Sequence, residues 1–392
     1  MNIGSDFDPL QMETFTSAHN EFAQLRSSCP VAHSTAFNGF WALLTYQDVV
    51  GVLDNATNFI TSVQNVVPKV AFTGRRPPLH LDPPEHTPYR QTINRFFVPK
   101  KIKELEGEIR TITVNLLAPL LEKGGGEFCS EFTQKYPGYV FSRFFHVSEE
   151  TAFRIKNVTT QYNIALQNAD DELVKVTSIA LYEIAKSIIE ARKNNPLPTS
   201  EDLTTALLKT KYKGKYLPED MVLGCVRQLI VVGMIAPSVF LGCMLVHLAE
   251  HKDLQQLLRN KPHLSKKAVE EYLRLFTPYR GFARTSQTDI EINGRFIKKG
   301  EPIALVYASA NRDETVFPNP DEFILNRPNI SQHIAFGRGP HYCAGAPLAR
   351  LMLRVVLEEL LNRTKDLAIN GTVKMTRWPE WGTLSVPFKA TI

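Results

Sequence analysis

A single cysteine set among glycines is the feature of this 392-residue chain with the clearest chemical potential. The stretch FGRGPHYCAG, residues 336–345, contains Cys343 and three glycines, and a run with a helical pattern, residues 346–354, follows it. Because glycine adopts backbone conformations that other residues avoid, such a stretch can turn several N–H groups toward one sulfur atom. A helix that begins just after the cysteine also favours the thiolate. The stretch therefore predicts a thiolate ligand at Cys343, and the alternative is a glycine-rich turn around a structural cysteine.

A second group of candidate residues lies at the start of a predicted helix. The stretch LDPPEHTPYR, residues 81–90, contains His86 and Arg90 on either side of Thr87 and Pro88. Thr is a frequent N-cap residue and Pro a frequent first helical residue, so we expect the helix to begin with Thr87 as its cap. His86 and Arg90 can then bind one anion, and the planar guanidinium group suits a carboxylate. The alternative is that both are ordinary surface residues.

A candidate ion pair lies in the stretch AVEEYLRL, residues 268–275. Glu271 and Arg274 are three positions apart and share one face of the predicted helix. An exposed pair of this kind is common and contributes little to stability. In a buried pair, loss of one partner would leave the other as an unpaired charge, which is costly.

The most apolar part of the chain is the run from Leu229 to Ala249, which contains no Asp, Glu, Lys or Arg. A run of this length could span a bilayer, or it could be the buried central helix of a large protein. Charged residues precede and follow it, including Arg227 and Glu250, and no second apolar run accompanies it. We therefore predict a buried central helix.

Periodicity predicts the elements of a smaller β region. Residues 40–45 have the pattern of a strand and residues 46–53 that of a short helix. Two strand-like runs, residues 290–297 and 302–307, lie on either side of Lys299-Gly300-Glu301, and we expect hairpins there. Residues 60–80 show no periodic pattern.

Composition restricts the class of protein. A chain of 392 residues with 43% hydrophobic residues is long enough for two lobes around a buried cofactor. The 45 Lys and Arg residues exceed the 40 Asp and Glu residues by only five, which argues against nucleic-acid binding. The five cysteines are far apart and lack zinc-site spacing, and the first residues lack the pattern of an export signal. We therefore expect a cytoplasmic protein in a reducing compartment.

Taken together, the motifs resemble those of the cytochrome P450 family. The stretch 336–345 is similar to the family's haem-binding loop, the stretch 81–90 to its Asp-Pro-Pro-x-His-Thr-x-x-Arg segment, and Glu271 with Arg274 to its Glu-x-x-Arg motif. The motifs occur in the family's order over essentially the whole chain. The resemblance implies a mainly α fold with a smaller β lobe (α+β), with haem between a long central helix and the cysteine loop. It implies one domain over residues 1–392, with a β-rich lobe mainly from residues 36–80 and 284–335 and a helical lobe from the remainder.

The resemblance also implies roles for individual residues. Cys343 would be the axial thiolate of haem b iron, Phe336 would shield its sulfur, and His341 would reach a haem propionate. The other implied haem contacts are His86, Arg90, Arg284 and Gly345, and the implied buried ion-pair cluster is Glu271, Arg274 and Arg327. The implied substrate pocket contains Gly233, Tyr279, Arg280 and Phe282. For Arg280 two alternatives stay open, one being solvent or a propionate and the other a bidentate contact with an anionic group of the substrate.

One part of the family pattern is absent from the central helix. The family places an acid and an alcohol there, to pass protons to dioxygen, whereas this chain has Ala236 and Pro237 at those positions and Ser238 one place later. Pro237 also removes one helical N–H and frees the carbonyl group near residue 233, so we expect a local kink. The proton source is therefore the least conventional part of the expected site.

The function implied is that of a monomeric haem-thiolate monooxygenase. It would hydroxylate or oxidatively couple a small organic substrate, in specialised metabolism, with electrons from a ferredoxin and ferredoxin reductase or a similar donor, and with no membrane or nucleic-acid partner. A peroxide-dependent peroxygenase is the first alternative, because the acid and alcohol are missing. A haem sensor or ligand-binding protein without turnover is the second.

Overall fold

The computed structural model describes residues 4–11, 13–69 and 73–392. The part of the 60–80 segment at residues 70–72 lies outside the described residues. The helices are Ser17–Ser28 (α1), Tyr46–Asp54 (α2), Thr87–Asn94 (α3), Pro99–Glu104 (α4), Glu106–Glu122 (α5), Tyr136–Phe144 (α6), Glu149–Gln167 (α7), Asp171–Asn194 (α8), Leu203–Lys209 (α9), Glu219–Glu250 (α10), Lys252–Asn260 (α11), Ser265–Leu275 (α12), Tyr307–Ala310 (α13) and Ala346–Arg363 (α14). The strands are Val31–Ser34 (β1), Phe40–Leu43 (β2), Phe59–Ile60 (β3), Gly125–Glu127 (β4), Lys211–Tyr212 (β5), Lys215–Tyr216 (β6), Phe282–Ser286 (β7), Ile290–Ile292 (β8), Arg295–Ile297 (β9), Pro302–Leu305 (β10), Asp366–Ile369 (β11), Lys374–Met375 (β12), Thr383–Ser385 (β13) and Pro387–Thr391 (β14).

Helices dominate and the strands form a smaller region, so the predicted α+β class is confirmed. The largest sheet has the strand order β1-β2-β10-β7-β3, in which only β2 and β10 are parallel. A second sheet joins β11, β14 and β4. Strands therefore also occur at residues 31–34, 125–127 and 366–391, outside the segments that the sequence indicated for the β lobe.

The predicted hairpins of the 290–307 region differ in their pairing. The first run is itself a hairpin, because Asn293 and Gly294 both have positive φ angles and form the turn between β8 and β9. The second run, β10, pairs with β7 and β2 instead. One partner, β2, is distant in sequence, and the other, β7, precedes the first hairpin, so β10 does not pair with the run next to it.

The start of α3 also differs from the prediction. Thr87 is the first helical residue, His86 precedes it, and no side chain caps the helix. The amide of Arg90, which a cap at Thr87 would have bound, donates instead to the carbonyl of His86, 3.1 Å away. Pro88 still lies in the first turn, where its missing N–H costs nothing.

The long helix α10 is the centre of the helical lobe. It is the one helix in the described part of the chain that is long and apolar enough to cross a membrane, but 61% of its most apolar window is buried inside the protein. Its first half packs in one hydrophobic cluster and its second half in another. Pro237 lies between the two halves without ending the helix.

Candidate active site

One cavity of about 390 Å³ brings most of the sequence-predicted site residues together. The predicted residues that line it are Arg90, Gly233, Ala236, Pro237, Tyr279, Phe282, Arg284, Phe336, His341, Cys343 and Gly345. They come from α3, α10, β7 and the segment leading into it, and the loop before α14. His86, Ser238 and Arg280 do not line this cavity, and neither does the Glu271 cluster.

The loop before α14 holds Cys343 at the cavity wall. The amide of Cys343 donates to the carbonyl of Phe336 over 2.9 Å, which closes the loop. Gly337 and Gly339 both have a φ of +71°, and a Cβ atom at Gly339 would lie 2.7 Å from the carbonyl oxygen of Leu53. These two positions therefore require glycine, as the sequence indicated.

Gly345 differs from the other two glycines of the loop in its backbone conformation. Its φ is −75°, so it is not held in a strained conformation. A Cβ atom there would lie 3.8 Å from Cys343 Sγ, at the edge of the space that the sulfur faces. Gly345 thus keeps the surroundings of the sulfur open and directly precedes α14.

The electrostatics of Cys343 reflect two opposing effects. Burial raises the pKa of the Cys343 thiol, while hydrogen bonding by the amides of Gly345 and Ala346 and the charges of Arg90 and Arg350 oppose that rise. The helix start and the two cations therefore favour the thiolate, as the sequence indicated, but burial outweighs them. A coordinated cation would supply the missing stabilisation, because metal coordination deprotonates a thiol.

Phe336 is positioned beside the loop by a chain of contacts that begins on α12. The Arg350 guanidinium lies 4.6 Å from the centre of the Phe336 ring, a cation–π distance. Glu270 holds that guanidinium through two contacts of 2.6 and 2.9 Å. The α12 helix therefore fixes the aromatic wall of the cysteine loop.

Arg90, which is half-buried, and Arg284, which is buried, are cations on the cavity wall without a carboxylate partner. Within the part of the chain that the structure describes, neither guanidinium forms an ion pair, and Arg284 donates to the carbonyl of Ala283 over 2.9 Å. Burial lowers the pKa of both side chains from the ordinary value of arginine. Both remain charged near neutral pH and lack an anion.

His86 and His341 lie beside each other, with ring centres 4.8 Å apart. His86 Nε2 lies 3.0 Å from the carbonyl oxygen of Pro340, so this ring supports the cysteine loop directly. His86 Nδ1 is buried and has no partner. Burial, followed by the neighbouring His341 ring, lowers the pKa of His86 to about 4.

His341 lies between the cavity and an acidic group. Its Nε2 atom is 3.3 Å from Thr61 Oγ1 and 3.9 Å from Asp82 Oδ1. Burial alone would raise the pKa of Asp82, but the His341 ring and hydrogen bonds from Ser62 and Thr61 hold it well below its usual range. Asp82 therefore stays ionised and keeps His341 in place.

The residues around the cavity fit a haem group. Cys343 offers a thiol next to two backbone amides, Arg90 and Arg284 offer two guanidinium groups without anions, and most of the remaining wall is apolar. This is the donor set for an iron atom, two carboxylates and a flat apolar ring system, so Cys343 would ligate the iron and the two arginines would bind the propionates. A thiolate-bound haem supplies one-electron and oxygen chemistry, with electron density from the sulfur favouring O–O cleavage.

The predicted ion-pair cluster is buried, and it joins Glu271 and Arg274 of α12 to Arg327. Arg274 meets the Glu271 carboxylate through two bonds of 2.9 and 2.8 Å, and Arg327 Nε lies 3.0 Å from the same carboxylate. The two arginines also donate to backbone carbonyls of residues 311–322. The three residues predicted to associate are thus brought together, and they tie α12 to the segment that leads to the cysteine loop.

Arg280 does not reach the substrate side of the cavity, in contrast to the prediction. Its Nε donates to the carbonyl of Glu380 over 3.1 Å, and its Nη1 pairs with the carboxylate of Glu13. The side chain is 1% exposed and its guanidinium lies 5.6 Å from the centre of the Trp378 ring. Arg280 therefore joins the N-terminal and C-terminal segments and has no site left for a substrate anion.

The other predicted substrate residues do line the cavity. The rings of Tyr279 and Phe282 pack against each other with centres 4.4 Å apart. Gly233 lies against Phe141, and a Cβ atom at Gly233 would be 1.6 Å from the ring. A larger residue at this position would have to displace the Phe141 ring on α6, so Gly233 allows the ring to pack directly on the central helix.

The altered segment of α10 presents no ionisable side chain to the cavity. Ala236 and Pro237 line it, whereas Ser238 is turned into the helix packing. The Ser238 hydroxyl lies 2.8 Å from the carbonyl oxygens of both Met234 and Thr133. Ser238 is therefore satisfied by the backbone and is removed from the cavity.

Three charged residues of the cavity wall were missed by the sequence analysis. They are Arg76, Arg227 and Glu380. Arg227 had a signal, because it is a cation just before a long apolar run, but it was read only as a flanking charge. Glu380 and Arg76 lie in segments without periodicity, where only the folded chain shows which side chains face inward.

The chain matches the family model described as Cytochrome P450 over residues 139–387. It is similar to Cytochrome P450 109 of Bacillus spizizenii, with 30% identity over 348 residues that cover 87% of this chain and 83% of that protein. It is also similar to Linalool 8-monooxygenase of Pseudomonas putida, with 28% identity and coverage of 88% and 89%. The solved structure of cytochrome P450 CYP109Q5 from Chondromyces apiculatus is similar over 99% of both chains, with a TM-score of 0.86 and 28% identity.

Proposed function

This chain belongs to the cytochrome P450 family of oxygen-incorporating oxidoreductases, and from that premise we propose that it is a cytoplasmic, monomeric haem b monooxygenase. It takes electrons from a ferredoxin and its reductase, or a similar donor, and hydroxylates or oxidatively couples a small organic substrate of specialised metabolism. The observation that carries the proposal is the position of Cys343, at a cavity whose walls also hold the unpaired guanidinium groups of Arg90 and Arg284.

The substrate side of the proposed site is formed by α10 and the segment before β7. Tyr279 and Phe282 provide an aromatic wall, and Gly233 lets Phe141 close the opposite side. These residues hold an apolar substrate and exclude bulk water from the reacting position. The small side chain of Ala236 leaves room for part of the substrate or a water molecule next to α10.

The source of protons for dioxygen must differ from the family pattern, because Ala236 and Pro237 replace the acid and the alcohol. Pro237 has no N–H, so the carbonyl of Gly233, four residues earlier, lacks its helical donor. This carbonyl can accept a hydrogen bond from a water molecule or from a polar group of the substrate, and we propose that one of these carries the proton. Ser238 is not proposed for this role, because both of its acceptors are backbone carbonyls of the protein interior.

A peroxygenase is the second candidate, and the same segment favours it. A placed acid or base typically contributes about 10²–10⁴-fold to the rate of a proton-transfer step. Hydrogen peroxide brings both electrons and protons with it, so an enzyme that uses peroxide bypasses most of the rate deficit that the missing group causes. The absence of an ionisable side chain at Ala236 and Pro237 therefore hinders the use of peroxide less than the use of dioxygen.

The two routes are separated by comparing oxidants on the haem-loaded protein. Compounds that shift the haem absorption band are first selected from a library. Product per haem is then measured with a surrogate ferredoxin, its reductase, NADPH and dioxygen, and in parallel with peroxide alone. The expected result is coupled turnover with dioxygen that survives Ser238→Ala.

The opposite outcomes are equally informative. Turnover with peroxide alone would replace the monooxygenase by the peroxygenase. Ligand-induced spectral shifts without product under either condition would instead favour a haem protein that binds ligands without turnover. A reduced carbon-monoxide complex without the red-shifted band of a thiolate haem would contradict the assignment of Cys343.

A further inference from the structure

Two buried arginines lie on the wall of the cavity, and neither has a carboxylate of the described residues within ion-pair distance. Arg76 and Arg227 both line the cavity and are 7% and 1% exposed. In the described part of the chain, which includes every Asp and Glu, neither guanidinium takes part in an ion pair. Their Nε atoms are buried without any hydrogen-bond partner. The protein thus presents two unneutralised cations to one enclosed space.

The two side chains meet at Tyr162 on α7. Arg76 Nη1 lies 3.4 Å from the Tyr162 hydroxyl, and the Arg227 guanidinium lies 5.1 Å from the centre of the same ring. Arg227 Nη2 donates to the hydroxyl of Ser178 over 3.2 Å. These contacts are all with neutral groups, so they orient the guanidinium groups without cancelling their charge.

The backbone is built to hold Arg76 against α10. Gly224 lies one helical turn before Arg227, and a Cβ atom there would be 1.9 Å from the carbonyl oxygen of Arg75. Only glycine allows the 75–76 segment to lie this close to the helix. The sequence therefore places the two arginines together through a specific close packing rather than through a flexible side chain.

This arrangement is unfavourable without a ligand. Burying a charge without a counterion is costly, and a neighbouring like charge adds to the cost. Burial, together with the charge of Arg76, lowers the pKa of Arg227 to about 10, so it is still protonated near neutral pH. The buried hydroxyl of Thr159, also on the cavity wall, has no partner either. Each of these unpaired groups can donate to an acceptor.

Most of the remaining wall around the two arginines is apolar, and the polar side chains that also line it include Asn163, Gln228 and Glu380. The apolar part is formed largely by Leu79, Phe141, Phe145, Leu166, Val231 and Ile235. A ligand that matches both parts has an apolar body and one anionic head group. Guanidinium groups bind a carboxylate or a phosphate in a planar, two-point manner, so either head group fits the arginines.

We propose that Arg76 and Arg227 form an anion-binding subsite that holds the head group of an acidic, otherwise apolar substrate. The inference rests on the proposed function in taking this ligand to be the substrate. The sequence suggested Arg280 as the residue that binds a substrate anion, but its guanidinium is occupied by Glu13 and the carbonyl of Glu380. We assign that role to Arg76 and Arg227 instead.

The test compares head groups on a constant apolar body. Straight-chain carboxylates of six to fourteen carbons are titrated into the haem-loaded protein, each beside its methyl ester and its alkyl phosphate counterpart. Dissociation constants are read by calorimetry and, in parallel, from the haem absorption band. The acids should bind more tightly than the esters, and the phosphate series shows which anion the subsite prefers.

The variants are Arg227→Gln and, independently, Arg76→Gln. Each should weaken the acids about 10- to 100-fold and leave the esters within about two-fold, as expected for loss of a charge-assisted contact. Arg75→Gln is the matched control. Arg75 is next to Arg76 in the chain, but its side chain is exposed and does not line the cavity, so the substitution removes the same charge outside the proposed subsite. Without ligand, the two test variants should be at least as stable as the wild type, since they remove an unpaired buried charge.

Each outcome decides a separate point. If no acid or phosphate of the series binds more tightly than its ester, or if Arg75→Gln weakens the acids as much as Arg227→Gln does, the subsite is wrong. A ligand-free Arg227→Gln protein that is markedly destabilised would show that the arginine serves the fold instead. Because these measurements need no turnover, an acid preference in a protein that uses only peroxide would overturn the monooxygenase and retain the subsite.

Discussion

Arg90 and Arg284 are cations that the protein leaves without an anion of its own at the cavity wall. Each should contribute roughly 1.5–3 kcal/mol to haem binding through a charge-assisted contact with a propionate. Single replacements should therefore be tolerated, whereas Arg90→Ala combined with Arg284→Ala should give largely haem-free protein. The ratio of haem absorbance to protein absorbance after purification measures the result.

Arg143→Ala combined with Arg363→Ala is the control for this pair. Both of these arginines form ion pairs on the surface, and their side chains are 50% and 42% exposed. Haem content should be unchanged in the control. Full haem occupancy in the Arg90 and Arg284 double variant would mean that the propionates are bound elsewhere.

Glu380 gives a prediction about pH. Burial raises the pKa of Glu380 from 4.5 to about 7, although the Gln167 amide donates to its carboxylate over 2.9 Å. The folded protein therefore binds more protons than the unfolded chain between these two values, and the free energy of unfolding falls as pH rises through this window. Relative to Glu380→Gln, the wild type should lose up to roughly 3 kcal/mol between pH 4.5 and 7.5.

Chemical denaturation of both proteins across this range gives the comparison. Glu190→Gln, on an exposed position of α8, should follow the wild type at every pH. Parallel curves for wild type and Glu380→Gln would show that Glu380 titrates at an ordinary pH.

For individual residues, the sequence predicted a role correctly where that role depends on residues next to them in the chain. Cys343 was found because the glycines, the loop and the helix start are consecutive, and two of the three glycines have the predicted positive φ. Arg280 was assigned wrongly because its partner Glu13 lies 267 positions away in the sequence. No local pattern distinguishes a side chain that faces a cavity from one that faces a distant segment.

At the scale of elements, Glu271 on α12 holds two buried arginines at once. Its carboxylate contacts Arg274 and Arg327, and all three side chains are at most 2% exposed. Glu271→Gln would leave two unpaired cations in the interior, and removal of one member of a buried pair costs about 3–5 kcal/mol. The midpoint of chemical unfolding should fall accordingly, and the cysteine loop should lose haem as the segment at residues 311–327 loosens.

Glu149→Gln is the matched substitution on the surface. Glu149 pairs with Arg143, and its side chain is 47% exposed, so the change should cost less than about 1 kcal/mol. Equal effects of the two substitutions would mean that the Glu271 cluster is not required for stability.

The elements themselves were predicted where periodicity is strong and contacts are local. The strand β2, the helix α2 and the long helix α10 lie where the sequence placed them. The pairing of β10 was wrong, since its partner β2 lies about 260 residues earlier in the chain. The predicted cap at Thr87 was wrong because the helix begins one residue earlier, and the carbonyl of His86 already accepts from the amide of Arg90 that such a cap would bind.

At the scale of the whole molecule, α10 connects two packed regions across the cavity. Residues before 235 belong to one hydrophobic cluster and residues after 239 to another. The length and apolar character of this helix could be read from the sequence. The charged wall of the cavity could not, because Arg76 and Arg227 are about 150 positions apart and meet only when the 75–76 segment packs on Gly224.

Pro237 lies at the junction of these two regions, and we expect it to lower the stability of the protein while supporting its activity. Proline inside a helix costs up to about 3 kcal/mol relative to alanine, because it removes an N–H and crowds the preceding turn. Pro237→Ala restores a donor to the carbonyl of Gly233, so the free energy of unfolding should rise by about 1–2 kcal/mol after allowance for the stiffer unfolded chain of the proline form. If that carbonyl positions the proton-carrying water or substrate group, product formed per NADPH should fall in the same variant.

Pro119→Ala separates the two effects. Pro119 lies inside α5, on an exposed position away from the cavity, so its replacement should also stabilise the protein but leave the yield of product per NADPH unchanged. Product per NADPH is measured with dioxygen and the surrogate ferredoxin, and product per haem is measured with peroxide, which already carries its electrons and protons. A loss with dioxygen alone in Pro237→Ala supports the role of the Gly233 carbonyl. Equal yields in Pro237→Ala and the wild type would assign proton supply to a group elsewhere on the cavity wall, with Glu380 as the next residue to replace.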